Sequence, residues 1–378
     1  MCFSILQVEK KLYFCQKYKV MNYSFLLKNF NNHIRKQLSA SMNLTLSKPL
    51  EISIMPNKRC NARCVMCSFW QEHDDYLTSE EIISFISDLK AWIGKDFFLQ
   101  IAGGEPLIYK GIFDIFKYCS DNRIICKIST NGYALTDNIC DKIIESKLSY
   151  LSVSLDSHLK EVHDRMRGVD GIFERAVHGI KYLAEHSDIT IGISIVLSSE
   201  NVEHFQETID YFLSLPIHRI LIQPIGVWTE DLSIENWHEY KYWINDMAAL
   251  DRTLNFLVEK RKKDNRLLNT EQDFLDWKTY FENPASTINK QLKKCSVGYD
   301  RLSIDYQGGI TIGCGLYGNV GNIKQDSIRQ QWYSPQAKKL RQRMLKCTYP
   351  CNYNCFKDRT LIEKIEKAMV LLKAGLFK

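Results

Sequence analysis

Three cysteines fall within eight residues, Cys60, Cys64 and Cys67, in the segment CNARCVMC. The spacing C-x3-C-x2-C offers three thiolates from one short loop. A closed structural zinc site takes four protein ligands, so this loop leaves a coordination position open. Around a four-iron cluster, three sulfurs leave one iron without a protein ligand. A substrate or cofactor can bind at that open iron, so the loop reads as catalytic. A zinc or redox-inert site is the bland alternative.

A second group lies near the C-terminus. Cys295, Gly309 and Cys314 make C-x13-G-x4-C, and Cys347, Cys351 and Cys355 follow as C-x3-C-x3-C. Four thiolates suit either zinc or an iron–sulfur cluster, and five are too few for two fully ligated clusters. The remaining cysteines, Cys2, Cys15, Cys119, Cys126 and Cys140, are dispersed and read as small core or surface thiols. The N-terminus, MCFSILQVEKKLYF, has a short apolar start broken by Glu9, Lys10 and Lys11. It does not read as a signal peptide. Without an export signal, thirteen cysteines point to metal and burial rather than to disulfides.

The bulk properties are those of a protein with a sizeable core: 378 residues, 45% hydrophobic, 25% charged. Net charge is +6 and spread along the chain, which makes no demand for nucleic acid. No apolar run is long enough to cross a bilayer. The expectation is a cytoplasmic protein with neither a nucleic-acid nor a membrane partner.

Six apolar runs alternate with helical patterns from Leu50 onward. Strands are expected at 51–56, 97–103, 125–130, 150–156, 189–197 and 219–225. Helices are expected at 78–91, 109–120, 136–146, 172–185 and 202–213, the first opened by a Thr78/Glu81 capping box. Each strand reads as a nearly continuous apolar run, the mark of a parallel sheet covered by helices. The fold class is α/β: an incomplete (β/α)6 TIM-like barrel with a small C-terminal α+β domain. Active sites of such folds lie at the C-terminal strand ends, and the Cys60–Cys67 loop directly follows strand one. The expected organisation is an N-terminal extension over 1–47 with a helix near 24–38, the barrel over 48–228 and a helical insert over 229–290. A cluster domain over 291–358, containing a hairpin at 301–314, and a terminal helix within 359–378 complete it.

The Cys60–Cys67 loop resembles that of the radical S-adenosylmethionine (SAM) superfamily. The resemblance implies that these cysteines hold a 4Fe-4S cluster, and that SAM chelates the fourth iron through its amino and carboxylate groups. One electron then cleaves SAM to methionine and a 5′-deoxyadenosyl radical, which abstracts hydrogen from substrate. Met66 stands where the family often has an aromatic residue. Phe69 and Trp70, just beyond, are candidates to cover the adenine. Taken alone, Gly103-Gly104-Glu105-Pro106 and Ser129-Thr130-Asn131-Gly132 are turns. In their order here, they resemble the family's SAM-binding motifs, which assigns Gly103, Gly104, Glu105, Pro106, Ser129 and Asn131 to the pocket. Ser154, Asp156 and Arg167 follow by the same resemblance, since an arginine pairs bidentately with a carboxylate. Arg165 is a rival for Arg167. Ser194 and Gln223 point to the same rim.

The C-terminal cysteines resemble the SPASM/Twitch extension of that superfamily. They lack its C-x2-C-x5-C-x3-C spacing, so one auxiliary 4Fe-4S cluster is expected, from Cys295, Cys314 and two of Cys347, Cys351 and Cys355. The resemblance implies an oxidative modification of a ribosomal peptide or protein, with a flavodoxin- or ferredoxin-type electron donor. A small-molecule dehydrogenase, acting for example on an aminosugar, and a non-catalytic electron-transfer protein are the alternatives. Residues 1–47 are short for a leader-binding domain, which weakens the peptide reading. Trp228 and Trp237 are candidate substrate contacts.

Overall fold

The computed structural model describes residues 23–71, 77–226, 236–284, 295–325 and 327–347. Six parallel strands build the barrel wall: β1 (Glu51–Ile54), β2 (Phe98–Ile101), β3 (Ile125–Thr130), β4 (Tyr150–Ser154), β5 (Thr190–Leu197) and β6 (Arg219–Pro224). Each pairs with its sequence neighbour, with Ile52 opposite Leu99, Ile128 opposite Leu151 and Ile193 opposite Ile220. Five strands are followed by a helix on the outside: α2 (Ser79–Ile93), α3 (Ile112–Asp121), α4 (Asp137–Glu145), α6 (Ile172–His186) and α7 (Phe205–Ser214). Thr78 and Glu81 form the expected capping box on α2.

The strands are not apolar throughout. Alternate residues such as Leu99, Ile101, Cys126, Ile128, Leu151, Val153, Ile191 and Ile193 are buried in the core. A strand sends its intervening side chains to the opposite face, and there Gln100, Lys127, Ser129, Ser152, Ser194 and Gln223 line the barrel interior. The barrel thus has a greasy outside under the helices and a polar inside. Cys119, Cys126 and Cys140 are fully buried on the outer side.

Within the barrel, one helix has no sequence forecast: α5 (Lys160–Arg167), KEVHDRMR. Its lack of an apolar stripe hides it. Gly168, at φ +64°, ends it, and Asp164 accepts hydrogen bonds from the Gly171 and Phe173 amides at the start of α6. The segment before β1 also belongs to the body of the molecule. α1 (Tyr23–Met42) is pinned by a buried Lys36–Asp300 ion pair of 2.7 Å. Removing one partner of such a pair costs about 3–5 kcal/mol.

Helices α8 (Met247–Lys263) and α9 (Glu271–Glu282) close the far side. Between them, Leu267 bridges β6, and Asn269 exchanges hydrogen bonds with the Ile222 amide and carbonyl. The exposed edge of the parallel sheet is thereby covered, which removes a strand-pairing hazard. On the other edge, β7 (Arg301–Ile304) pairs parallel to β1, and β8 (Gly309–Ile312) and β9 (Gly321–Asn322) follow antiparallel. All nine strands form one sheet, so the predicted hairpin extends the barrel wall. α10 (Ile328–Tyr333) and α11 (Pro335–Met344) pack beneath it. The expected terminal helix lies outside the described residues. No described helix is long and apolar enough to cross a membrane.

Candidate active site

The loop after β1 emerges at the C-terminal mouth of the barrel and is held there by close backbone contacts. Gly104 donates to the Asn57 carbonyl at 3.2 Å and Glu105 to the Arg59 carbonyl at 2.7 Å. A Cβ on Gly104 would stand 1.9 Å from the Arg59 oxygen. Gly103, at φ +134°, has a backbone that L side chains rarely adopt. From the other side, the Arg63 and Val65 amides donate to the Arg167 and Met166 carbonyls at 2.9 and 3.0 Å. Gly168 makes that approach possible, since its Cβ would lie 2.4 Å from the Arg63 oxygen. Gly103, Gly104 and Gly168 therefore act first as seats for the cysteine loop.

Glu105 is 1% exposed and accepts from the Leu107 and Asn131 amides and from the Thr130 hydroxyl, at 3.1, 2.7 and 2.7 Å. Burial pushes its carboxyl above the ordinary range, against those hydrogen bonds. It locks the β2 loop to the β3 loop, and Pro106 begins the short 3-10 turn that it caps. Asn131 turns its amide toward the cysteines, 2.7 Å from Asn61 Oδ1 and 3.7 Å from Cys60 Sγ. Arg167 Nη1 lies 3.9 Å from Cys64 Sγ. Its Nε is 2.7 Å from Asp156, which is fully buried. Burial alone would lower the Arg167 pKa, but Asp156 and Cys64 outweigh it and hold the guanidinium charged. Asp156 also accepts from the Val196 amide, and its own amide donates to His163 Nδ1. Asp156 is thus an anchor for Arg167.

Arg165, the rival, is exposed and bonds Glu200 at 2.8 Å. Ser194 is hydrogen-bonded to Ser152 at 2.7 Å. Ser129, Ser154 and Gln223 are half-buried on the inner face. Phe69 is 39% exposed beside Lys58, and Trp70 stacks under Arg63. Trp237 packs against Trp243, and Trp228 lies outside the described residues. Sequence reasoning missed His163, Arg63 and Lys58. Only their nearness to the recognised motifs could have flagged them.

The thiols suit a thiolate-bound metal. Burial raises the Cys60 pKa to about 11 and lifts that of Cys67, so both are protonated near neutrality without one. That disfavours a free nucleophilic cysteine. The Ala62 amide, Asn131 and Arg167 point donors at the sulfurs, which tune and stabilise thiolates on iron. Among the described residues, no three His, Cys, Asp or Glu side chains meet at one ion position. A four-iron cube takes each thiolate on its own iron, so its sulfurs need not meet at a point. The donor set fits such a cluster.

The second cysteine group lies at the other end of the sheet. Gly313 donates to the Arg301 carbonyl, which places Cys314 beside the start of β7. Cys295, Cys314 and Cys347 surround Tyr317. Burial first, then the nearby Cys347 sulfur and the charges of Cys314 and Cys295, push its hydroxyl pKa upward. Gly309 is fixed by Asn319 and Asp305, whose side chains would lie 2.1 and 2.4 Å from a Cβ there. Cys351 and Cys355 lie outside the described residues.

The Radical SAM superfamily model matches residues 54–212. An AdoMet-dependent heme synthase of Methanosarcina barkeri is 32% identical over 303 residues, covering 75% of this chain and 82% of that protein. This chain belongs to the radical SAM superfamily. Membership implies SAM and a 4Fe-4S cluster, and the Cys60–Cys67 loop is where the fold offers ligands for it. The mycofactocin maturase MftC of Mycolicibacterium smegmatis is 29% identical over 150 residues, 39% of this radical SAM protein and 38% of MftC. Streptococcus suis SuiB bound to its precursor peptide SuiA shares the fold, with a TM-score of 0.61 and 19% identity over 82% of this chain and 71% of that one.

Proposed function

We infer that this radical SAM protein oxidises a side chain of a ribosomally made peptide or protein after abstracting a hydrogen atom from it. The observation that carries the reaction is the three-thiol loop at the barrel mouth, with Asn131 and Arg167 aimed at two of its sulfurs. When bound there, the cluster and SAM supply a one-electron cleavage and a 5′-deoxyadenosyl radical. The protein's part is positioning. Arg167, held by Asp156, offers a fixed cation to the methionine carboxylate. Gly103, Gly104 and Pro106 shape the amino-group side, while Ser129, Asn131 and Ser154 line the wall between SAM and the lumen. Phe69 shields the adenine.

Cys295, Cys314 and Cys347, with one of Cys351 and Cys355, would hold one auxiliary 4Fe-4S cluster. Held by those cysteines at the far end of β1 and β7, it would accept the electron that the substrate radical gives up on becoming the oxidised product. SuiB with its peptide and MftC support the peptide reading. The M. barkeri relative, a heme synthase, favours a second reading, oxidation of a small molecule in the same lumen. The test is anaerobic reconstitution with iron and sulfide, then SAM and dithionite. 5′-Deoxyadenosine is expected, and an intact cluster without that product would leave an electron-transfer protein. Deuterium transfer into 5′-deoxyadenosine from a labelled peptide, but not from a labelled small molecule, separates the two substrate readings.

A further inference from the structure

Below the SAM end, the inner face of the barrel holds two cations without an anionic partner among the described residues. Lys127 on β3 is 9% exposed, and its ammonium lies 5.1 Å from the centroid of the Tyr150 ring on β4. Arg219 on β6 places its guanidinium 4.2 Å from the same ring. Arg219 Nε is buried and makes no hydrogen bond. Among the described residues, neither cation has an ion pair. Arg219 is half-buried and Lys127 buried; burying a charge such as that of Lys127 is costly unless it is compensated, and elsewhere this protein compensates it. Lys36 has Asp300, and Arg167 has Asp156. The register explains the meeting: Lys127 is opposite Tyr150, and Arg219 is opposite Gly192 on β5.

Gly192 completes the arrangement. A Cβ there would lie 2.4 Å from the Tyr150 hydroxyl and 3.0 Å from Arg219 Cγ. The missing side chain lets the phenol lie across β5, between the two cations. The result is a cationic cluster on the inner face of the sheet, gathered around one phenol ring. Asn131 is four residues on from Lys127, just past the end of β3, so the cluster lies about 13 Å along the strand direction from the residue that reaches Cys60.

We propose that Lys127, Arg219 and Tyr150 form a subsite for an oxyanion of the substrate, a carboxylate or phosphoryl group several bonds from the carbon that loses hydrogen. Arginine supplies a planar pair of donors and lysine a point charge, a combination suited to either anion. An anion gripped at the floor of the lumen fixes the depth at which the remainder of the substrate stands beneath SAM. The proposal rests on the reading of the lumen as a substrate chamber and names the substrate's charge.

The test uses the full chain, anaerobically reconstituted and loaded with SAM. Titration calorimetry with glutarate, inorganic phosphate and the neutral isostere glutaramide reads the subsite directly. At least one anion is expected to bind, with glutaramide at least tenfold weaker, and the preferred anion distinguishes carboxylate from phosphoryl. Lys127→Gln and Arg219→Gln are each expected to weaken that anion at least tenfold, and Lys127→Arg to restore part of it. Equal binding of glutarate and glutaramide, no binding of either anion, or unchanged affinity in both glutamine variants overturns the proposal. The wild-type comparison stands even if a variant does not fold. 5′-Deoxyadenosine formation in the same wild-type preparation reports separately on the radical SAM reading.

Discussion

The two cysteine groups sit at opposite ends of one pair of strands, and they are held differently. At the upper end, the Cys60–Cys67 loop is clamped backbone to backbone by Gly104 and Gly168. Its sulfurs face donors on Asn131 and Arg167, and it opens onto a polar lumen. At the lower end, Cys295, Cys314 and Cys347 gather around the Tyr317 ring, which Arg343 covers at 5.2 Å. The four residues of β1 between them span about 13 Å. On the function proposed above, the upper group would share its metal with a ligand, and the lower one would serve electron exchange.

The strongest way to break this contrast is to delete one sulfur from each end. Cys64→Ala is expected to reduce 5′-deoxyadenosine formation to the level without enzyme and to remove half the bound iron. Cys314→Ala is expected to remove the other half while SAM is still cleaved, with oxidised product absent. Iron analysis and chromatography of the SAM products read both. Equal loss of SAM cleavage in the two variants would merge the two roles and sink the contrast.

The clamp makes the next largest prediction. Gly104→Ala drives a methyl into the Arg59 carbonyl, and overpacking of this kind costs about 1–3 kcal/mol or more. Gly315, beside the lower cysteines, has nothing within 4 Å of its would-be Cβ. Gly315→Ala is expected to change stability by less than about 0.5 kcal/mol. Thermal unfolding and iron content check both. The Gly104 variant should lose iron selectively at the upper loop.

How much of this was legible follows from what periodicity reports. The outer face of every barrel strand carries Ile, Leu, Val or Cys, which made the strands and their parallel pairing readable. The inner face did not announce itself. Gln100, Lys127 and Ser152 interrupt runs short enough to pass as apolar, so the strands read as greasy on both sides. The motifs were visible as strings, but their seating was not. Nothing local in GGEP says that Gly104 meets Arg59, because that contact joins two loops brought together by β1–β2 pairing. α5 was missed for a related reason. Its charged face is spent on tertiary bonds, Asp164 to the start of α6 and Arg167 to Asp156.

His163 sharpens the comparison through pH. It is buried against Phe173 and accepts the Asp156 amide, and burial with the nearby Arg167 charge holds its pKa well below 6.5. The folded ring stays neutral where the unfolded one gains a proton. Stability is therefore full above about pH 6.5 and falls as pH drops below it, by up to about 1.4 kcal/mol per pH unit. His163→Gln keeps an acceptor for the Asp156 amide and removes the titration. Its unfolding temperature should decline less than that of wild type between about pH 7 and pH 5.5. An identical decline would remove His163 from the support of Asp156 and Arg167.

The smallest expected effect lies at the lower end. The Tyr317 hydroxyl faces the Cys347 sulfur, and a donor on a thiolate favours the more negative, reduced state of a cluster that the thiolate would hold. Tyr317→Phe removes that donor and leaves the ring and its Arg343 contact in place. The auxiliary cluster should become harder to reduce, visible as a lower midpoint in an EPR-monitored redox titration. The rate of SAM cleavage should not change, because the upper sulfurs take their donors from Ala62, Asn131 and Arg167. If the midpoint of the SAM-binding cluster moved and that of the auxiliary cluster stayed, Tyr317 would be reporting on the wrong end of the sheet. The separation of the two cysteine groups would then have to be redrawn.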